Sequence, residues 1–278
     1  QVDLRYEIGA EGADFIFNIH AAHTACQTVS AERLTLSQTV FPKIHTDATT
    51  GTRYMRLRAL PGELKVSYTA RMDVAHYFAQ PDQLAEVPVA YLPFEVLRYL
   101  HPSRYCQSDR LLRFAALEFG HLWRGYRRVQ AIRDWVVERV TFRSNSSNSN
   151  TSAVDTLVEK VGVCRDFAHL MIALCRALNI PARFATGIDY GADPALGPTD
   201  FHAYVEVFLG ERWYLFDASG VATSKETLTT PSVAAFSRAM AIISLEISVA
   251  VRWPTDDASL SAVVPVPEWG CVAKMVGI

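Results

Sequence analysis

Residues 161–184 read Val-Gly-Val-Cys-Arg-Asp-Phe-Ala-His-Leu-Met-Ile-Ala-Leu-Cys-Arg-Ala-Leu-Asn-Ile-Pro-Ala-Arg-Phe. Phe167, Leu170, Met171, Leu174, Cys175 and Leu178 recur at helical spacing and predict a helix over Arg165–Leu178 with a wide apolar stripe. Asn179-Ile180-Pro181 ends it. Gly162 marks a turn before it, so Cys164 falls at the joint between turn and helix. A helix start presents unpaired N–H groups and the positive end of the macrodipole. A thiol there ionises more readily than a free one. Asp166 falls in the same first turn, where a carboxylate is favoured.

A nucleophilic thiol needs a base and a group to orient that base. Downstream, Phe201 to Asp217 holds two β-rich runs around Leu209-Gly210-Glu211-Arg212, which reads as a hairpin. Centring the turn between Leu209 and Gly210 places His202 directly opposite Asp217. Opposed residues share one face with Cβ atoms ~5 Å apart, so the carboxylate can fix the imidazole. Cys164, His202 and Asp217 then supply nucleophile, base and orienter for acyl transfer. The backbone N–H of Cys164 is a natural oxyanion donor. His169 is a rival base, but five residues along a helix rotate it about 140° away from Cys164.

At these residues the chain resembles the bacterial transglutaminase-like proteins, a superfamily that includes candidate cysteine proteases. The matching pieces are Thr151-Ser152-Ala153, Gly162 to Leu170, Ile180-Pro181-Ala182-Arg183, His202-Ala203-Tyr204-Val205-Glu206-Val207 and Trp213-Tyr214-Leu215-Phe216-Asp217. Their order and spacing extend over roughly residues 125–220. The resemblance implies a papain-like catalytic core, with Cys164, His202 and Asp217 in the catalytic positions. It also implies an N-terminal β domain. The likeness weakens after Asp217: many relatives have Asp-Pro-Thr-Asn where this chain has Asp217-Ala218-Ser219-Gly220.

The remaining sequence agrees with that frame. With 278 residues, 50% hydrophobic and 20% charged, the chain has a globular composition and enough apolar residues for one large or two modest cores. A formal net charge of −2 gives no footprint for nucleic acid or an anionic membrane. No apolar run approaches the ~20 residues that span a bilayer. The five cysteines (Cys26, Cys106, Cys164, Cys175 and Cys271) are widely spaced and odd in number, which argues against a disulfide framework and for a reducing, cytoplasmic compartment. No C-x-x-C pair suggests zinc, no acidic cluster suits calcium, and the H-x-x-H of His20 and His23 has no evident third ligand.

Residues 1–80 read as β: Val2–Ile8, Asp14–His20, Arg53–Leu60 and Leu64–Ala70 alternate apolar and polar with period 2. Several short strands at such spacing suggest a sandwich. Pro88, Pro93 and Pro102 punctuate a connector. Residues 110–119 and 127–140 read as helices, and Ser144–Asn150 as an exposed polar loop. Ser152 with Asp155 resembles a capping box. Gly191–Pro198 reads as a loop delivering the chain to His202; beyond Asp217, Ser232–Ala241 suggests a helix and Ile242–Val251 a strand.

The expected architecture is α+β: an N-terminal β-sandwich over 1–90 and a papain-like, transglutaminase-like catalytic domain over 91–278. The expected activity is a cysteine-dependent amide hydrolase, a peptidase or amidase working through a thioester. A protein-glutamine transglutaminase and a non-catalytic binding module of the same fold are the alternatives. The partner expected is a peptide or protein substrate, with no nucleic acid and no membrane, and the mechanism needs no metal or organic cofactor. The preference for water over an amine as acceptor rests on the resemblance.

Overall fold

The computed structural model describes residues 1–75, 79–189, 201–220 and 240–244. Contacts divide the chain into two compact units, one built on Gln1–Ala75 with Ile188–Phe201 and the segment from Met240, the other on His76–Gly187 with His202–Ala239.

The first unit contains strands β1 (Val2–Ile8), β2 (Ala13–Phe17), β3 (Gln27–Leu36), β4 (Lys43–Thr46), β5 (Arg53–Ala59) and β6 (Gly62–Val74). They form two antiparallel three-stranded sheets, ordered β1-β6-β3 and β2-β5-β4. The period-2 residues of both sheets meet in one core: Val2 and Ile8 from β1, Leu64, Val66 and Tyr68 from β6, Phe17 from β2, and Met55 and Leu57 from β5. This is a sandwich, each sheet burying one face. Strand β3 lacks clean alternation because it carries a bulge. Its register shifts between Ser30 and Arg33, Ala31 takes φ +50°, and the half-buried residues move from Val29 to Leu34 and Leu36, changing parity.

The second unit contains helices α1 (Phe94–Leu97), α2 (Ser108–Phe119), α3 (Tyr126–Arg139), α4 (Ala153–Glu159) and α5 (Cys164–Ala177). Two residues each of β7 (Thr141–Phe142) and β8 (Val161–Gly162) pair in parallel. Strands β9 (Ala182–Asp189), β10 (His202–Leu209) and β11 (Arg212–Phe216) form an antiparallel sheet with β10 in the middle. Strand β12 (Met240–Ser244) belongs to the first unit; the sequence pattern suggests a helix up to Ala241 and a strand from Ile242 there. The expected loop 191–198, residues 232–239, the remainder of the strand to Val251 and Cys271 lie outside the described residues.

Helix α5 is the centre of this unit. Residues Asp166 to Cys175 and Ala177 are all buried, because α2, α3, α4 and β10 surround it. A helix enclosed on nearly every side is a core helix, and its polar residues Arg165 and Arg176 stay partly exposed at its two ends. Ala203, Val205, Val207 and Leu209 of β10 join the same core. The opposite face of β10 is also filled. There Glu206 pairs with Arg183 of β9 at 2.7 Å, and the guanidinium lies over Trp213, 4.1 Å from its ring centroid. The hydrogen bond and the aromatic cover let this ion pair sit in the interior.

Candidate active site

Cys164 occupies the first helical position of α5, and its exposure is intermediate, whereas Cys106 and Cys175 are buried. The approach to it is fixed by Asp166. That carboxylate is fully buried; its Oδ2 accepts the Val163 N–H at 2.8 Å, and its Oδ1 lies 3.2 Å from an Arg165 guanidinium nitrogen. Gly162 is required by the same side chain, since a Cβ there would meet the Asp166 Cβ at 2.7 Å. Glycine, turn and acidic first turn therefore act together to set the angle at which the chain enters the helix.

His202 is the first residue of β10, and its carbonyl accepts the Thr186 hydroxyl of β9 at 3.2 Å. Its Nε2 lies 3.0 Å from Asp217 Oδ1. The Cys164 side chain lies close enough to the ring to act on its charge. With Nε2 directed at the carboxylate, Nδ1 is the nitrogen left for sulfur. Tyr204, fully buried, packs edge-on against the imidazole with centroids 4.7 Å apart.

The structure brings all three candidate residues together, by a register different from the expected one. The β10–β11 ladder pairs Leu209 with Arg212 and Val205 with Phe216. The loop is therefore Gly210-Glu211, and Gly210 takes φ +58° as a two-residue hairpin loop demands. His202 and Asp217 are consequently a diagonal pair, not a directly opposed one. The shift is two residues, one full period, so both side chains stay on one face. Continued past its last paired residue, this register sets Ser219 against His202.

Ser219 is a functional candidate the sequence reading missed. Its N–H and its hydroxyl both donate to Asp217 Oδ1, at 3.0 and 2.8 Å, and its Oγ lies 3.3 Å from His202 Nε2. A short-range signal existed in the Asp-x-Ser spacing, which suits a side chain bonding the backbone two residues on. Arg133 of α3 was also missed; its Nε donates to the Asp217 carbonyl at 2.8 Å. Nothing in the linear sequence links residues so far apart.

The electrostatics follow from these contacts. Burial alone would lower the His202 pKa, but the hydrogen bonds to Asp217 and Cys164 and their charges push it up to about 10. Burial alone would raise the Asp217 pKa, yet His202 and the two Ser219 donors hold it down at about 2. The pair therefore favours imidazolium and carboxylate. His169 differs sharply. It stacks on Tyr105 at 5.1 Å, and burial, with Arg165 and Arg176 adding to it, lowers its pKa to about 3. It is a neutral packing residue. It orders no neighbouring turn through Nδ1, which finds no partner among the described residues. His20 is likewise buried, packed on Tyr68, while His23 is exposed.

Residues 121–218 match the transglutaminase-like superfamily model, and residues 1–95 match the bacterial transglutaminase N-terminal domain. A candidate cysteine protease of known structure from Cytophaga hutchinsonii is 36% identical; the match covers 91% of each chain with a TM-score of 0.74. An uncharacterised protein of Mycobacterium leprae is 29% identical over 89 residues, which is 31% of this chain and 32% of that one. Another from Mycobacterium tuberculosis H37Rv is 30% identical over 93 residues, 32% of this chain and 30% of that one. The chain thus spans about a third of the length of these curated relatives. With a helix-borne cysteine, an adjoining β-hairpin and a full-length relative of the same architecture, this chain belongs to the transglutaminase-like superfamily.

Proposed function

We propose that the protein is a cysteine-dependent amide hydrolase acting on a peptide or protein substrate through a Cys164–His202–Asp217 triad. The observation that carries this reading is the imidazole of His202, held by Asp217 at 3.0 Å and flanked by a thiol at the start of a 14-residue helix. His202 Nδ1 holds the thiol proton, and the helix terminus favours the thiolate left behind. The sulfur attacks the amide carbonyl, forming a C–S bond while the carbonyl electrons move to oxygen. The Cys164 N–H stabilises that oxyanion. Collapse breaks the C–N bond, and Nδ1–H protonates the departing amine. Water then attacks the thioester, giving its proton to His202, and the C–S bond breaks to regenerate the thiol. Asp217 holds Nε2–H throughout, which keeps Nδ1 aimed at sulfur.

The test uses p-nitrophenyl butyrate, an activated ester that needs no knowledge of the natural substrate. The expected result is a burst of nitrophenolate stoichiometric with enzyme and one butyryl group on Cys164 by mass, absent from Cys164→Ala. Decay of that acyl group to butyrate, unchanged by millimolar cadaverine, supports hydrolysis. Capture as butyryl-cadaverine assigns the protein to amine transfer instead, the alternative the superfamily name suggests. Absence of an acyl group on Cys164 leaves the fold as a binding module.

A further inference from the structure

Asp217 lies one residue past the end of the ladder, whose last paired rung is Val205 with Phe216. A carboxylate that keeps an imidazole aligned needs restraint, because misplacement by about 1 Å degrades such a constellation heavily. Two restraints stand out among the described residues. Arg133, 9% exposed and borne on the rigid helix α3, donates Nε to the Asp217 carbonyl at 2.8 Å. Ser219, 7% exposed, closes the carboxylate from the other side with N–H and Oγ–H on the same oxygen that His202 uses.

The geometry fixes what the serine hydroxyl does. Its proton is directed at Asp217 Oδ1, 2.8 Å away. Its lone pairs are therefore what His202 Nε2 meets at 3.3 Å. Nε2–H thus has two acceptors in a fork, and a ring turned away from Cys164 loses both. Arg133 acts on the other half of the same residue. Its neighbour in the chain, Asp134, takes the guanidinium's second contact at 2.9 Å and fixes the direction of Nε. Gly220 completes the wall: it takes φ +69°, and a Cβ there would come within 3.3 Å of the Arg133 guanidinium.

We propose that Arg133 and Ser219 are positioning residues that clamp the His202–Asp217 pair from two sides, Arg133 through the backbone of residue 217 and Ser219 through its carboxylate and the imidazole. The proposal rests on the triad reading above.

The experiment follows iodoacetamide labelling of Cys164 from pH 4 to 9, with the exposed Cys26 as internal reference. Ser219→Ala is expected to slow labelling at pH 6 by about two- to tenfold, the span of one net hydrogen bond, and to shift the thiol's labelling profile to higher pH. Ser219→Thr is expected to restore both. Arg133→Met, similar in length but without donors, is expected to move the profile the same way. Thermal melting separates these effects from unfolding. Should Arg133→Met melt below the assay temperature, the Ala–Thr pair at 219 decides alone. If the unaltered protein labels Cys164 no faster than Cys26 at pH 6, the triad reading has failed and the clamp falls with it. If the unaltered protein shows the enhancement and Ser219→Ala keeps the same rate and profile, the triad stands and the clamp is overturned.

Discussion

At the scale of single residues, the site is two opposite charges placed where burial opposes both. The His202 pKa stands at about 10 against an ordinary 6.5, so between those values the folded protein holds a proton that the unfolded chain releases. Stability from this group is full below pH 6.5 and is lost as pH rises through about 10. Asp217 works in the other direction. Held at about 2 against an ordinary 3.8, it contributes above 3.8 and loses that contribution as pH falls through about 2. Melting temperature against pH is therefore expected to decline across the alkaline window, and His202→Gln to flatten that decline. An identical slope in the variant would show that the imidazole is not protonated by its partners. The residue identities were legible in the sequence: thiol, imidazole and carboxylate each had a structural reason to be singled out. Ser219 and Arg133 were not, because a hydroxyl or guanidinium gains meaning here only from a partner placed by the tertiary fold.

At the scale of elements, local chemistry fixed most boundaries. Helix α3 runs over Tyr126–Arg139 where the 3- and 4-residue spacing of Val129, Ile132 and Val136 predicted one. The Ser152–Asp155 box forms, with the Ser152 N–H on the carboxylate at 2.9 Å despite the shorter acidic side chain. The hairpin was read with its loop one residue early, since Leu209 and Arg212 both suit a strand end and only the closed ladder shows which residue pairs. Strand β3 escaped notice because its bulge breaks the period-2 pattern on which the reading depended. The turn before α5 carries a sharper expectation. Gly162→Ala drives a methyl group into the Asp166 side chain at 2.7 Å. Equilibrium urea unfolding is expected to show a loss of about 1–3 kcal/mol, the usual cost of overpacking, with slower Cys164 labelling in the folded protein. A fully stable variant would mean that Asp166 moves freely and does not set the helix entry.

At the scale of the whole molecule, the site is a product of tertiary structure alone. Cys164 belongs to a core helix, His202 begins a hairpin 38 residues further along that leads to Asp217, and Arg133 comes from α3. Alternation in the sequence pointed to the sandwich, and the family resemblance pointed to the papain-like, transglutaminase-like core of an α+β chain. The sequence could not disclose where the two units divide, inside β9 after Gly187. The proposed role of Cys164 is then expected to depend on the second unit as a whole. The most direct measurement is the iodoacetamide labelling rate of Cys164 relative to Cys26 at pH 6, read by peptide mass in native protein and across a guanidinium titration. An ordinary thiol is roughly 0.3% ionised there. A thiol acting as the proposed nucleophile labels faster by a net factor on the order of ten. That advantage is expected in the folded protein, together with its disappearance in step with the unfolding of residues 79–187 and 202–220. Equal rates for the two cysteines in the native state would contradict it.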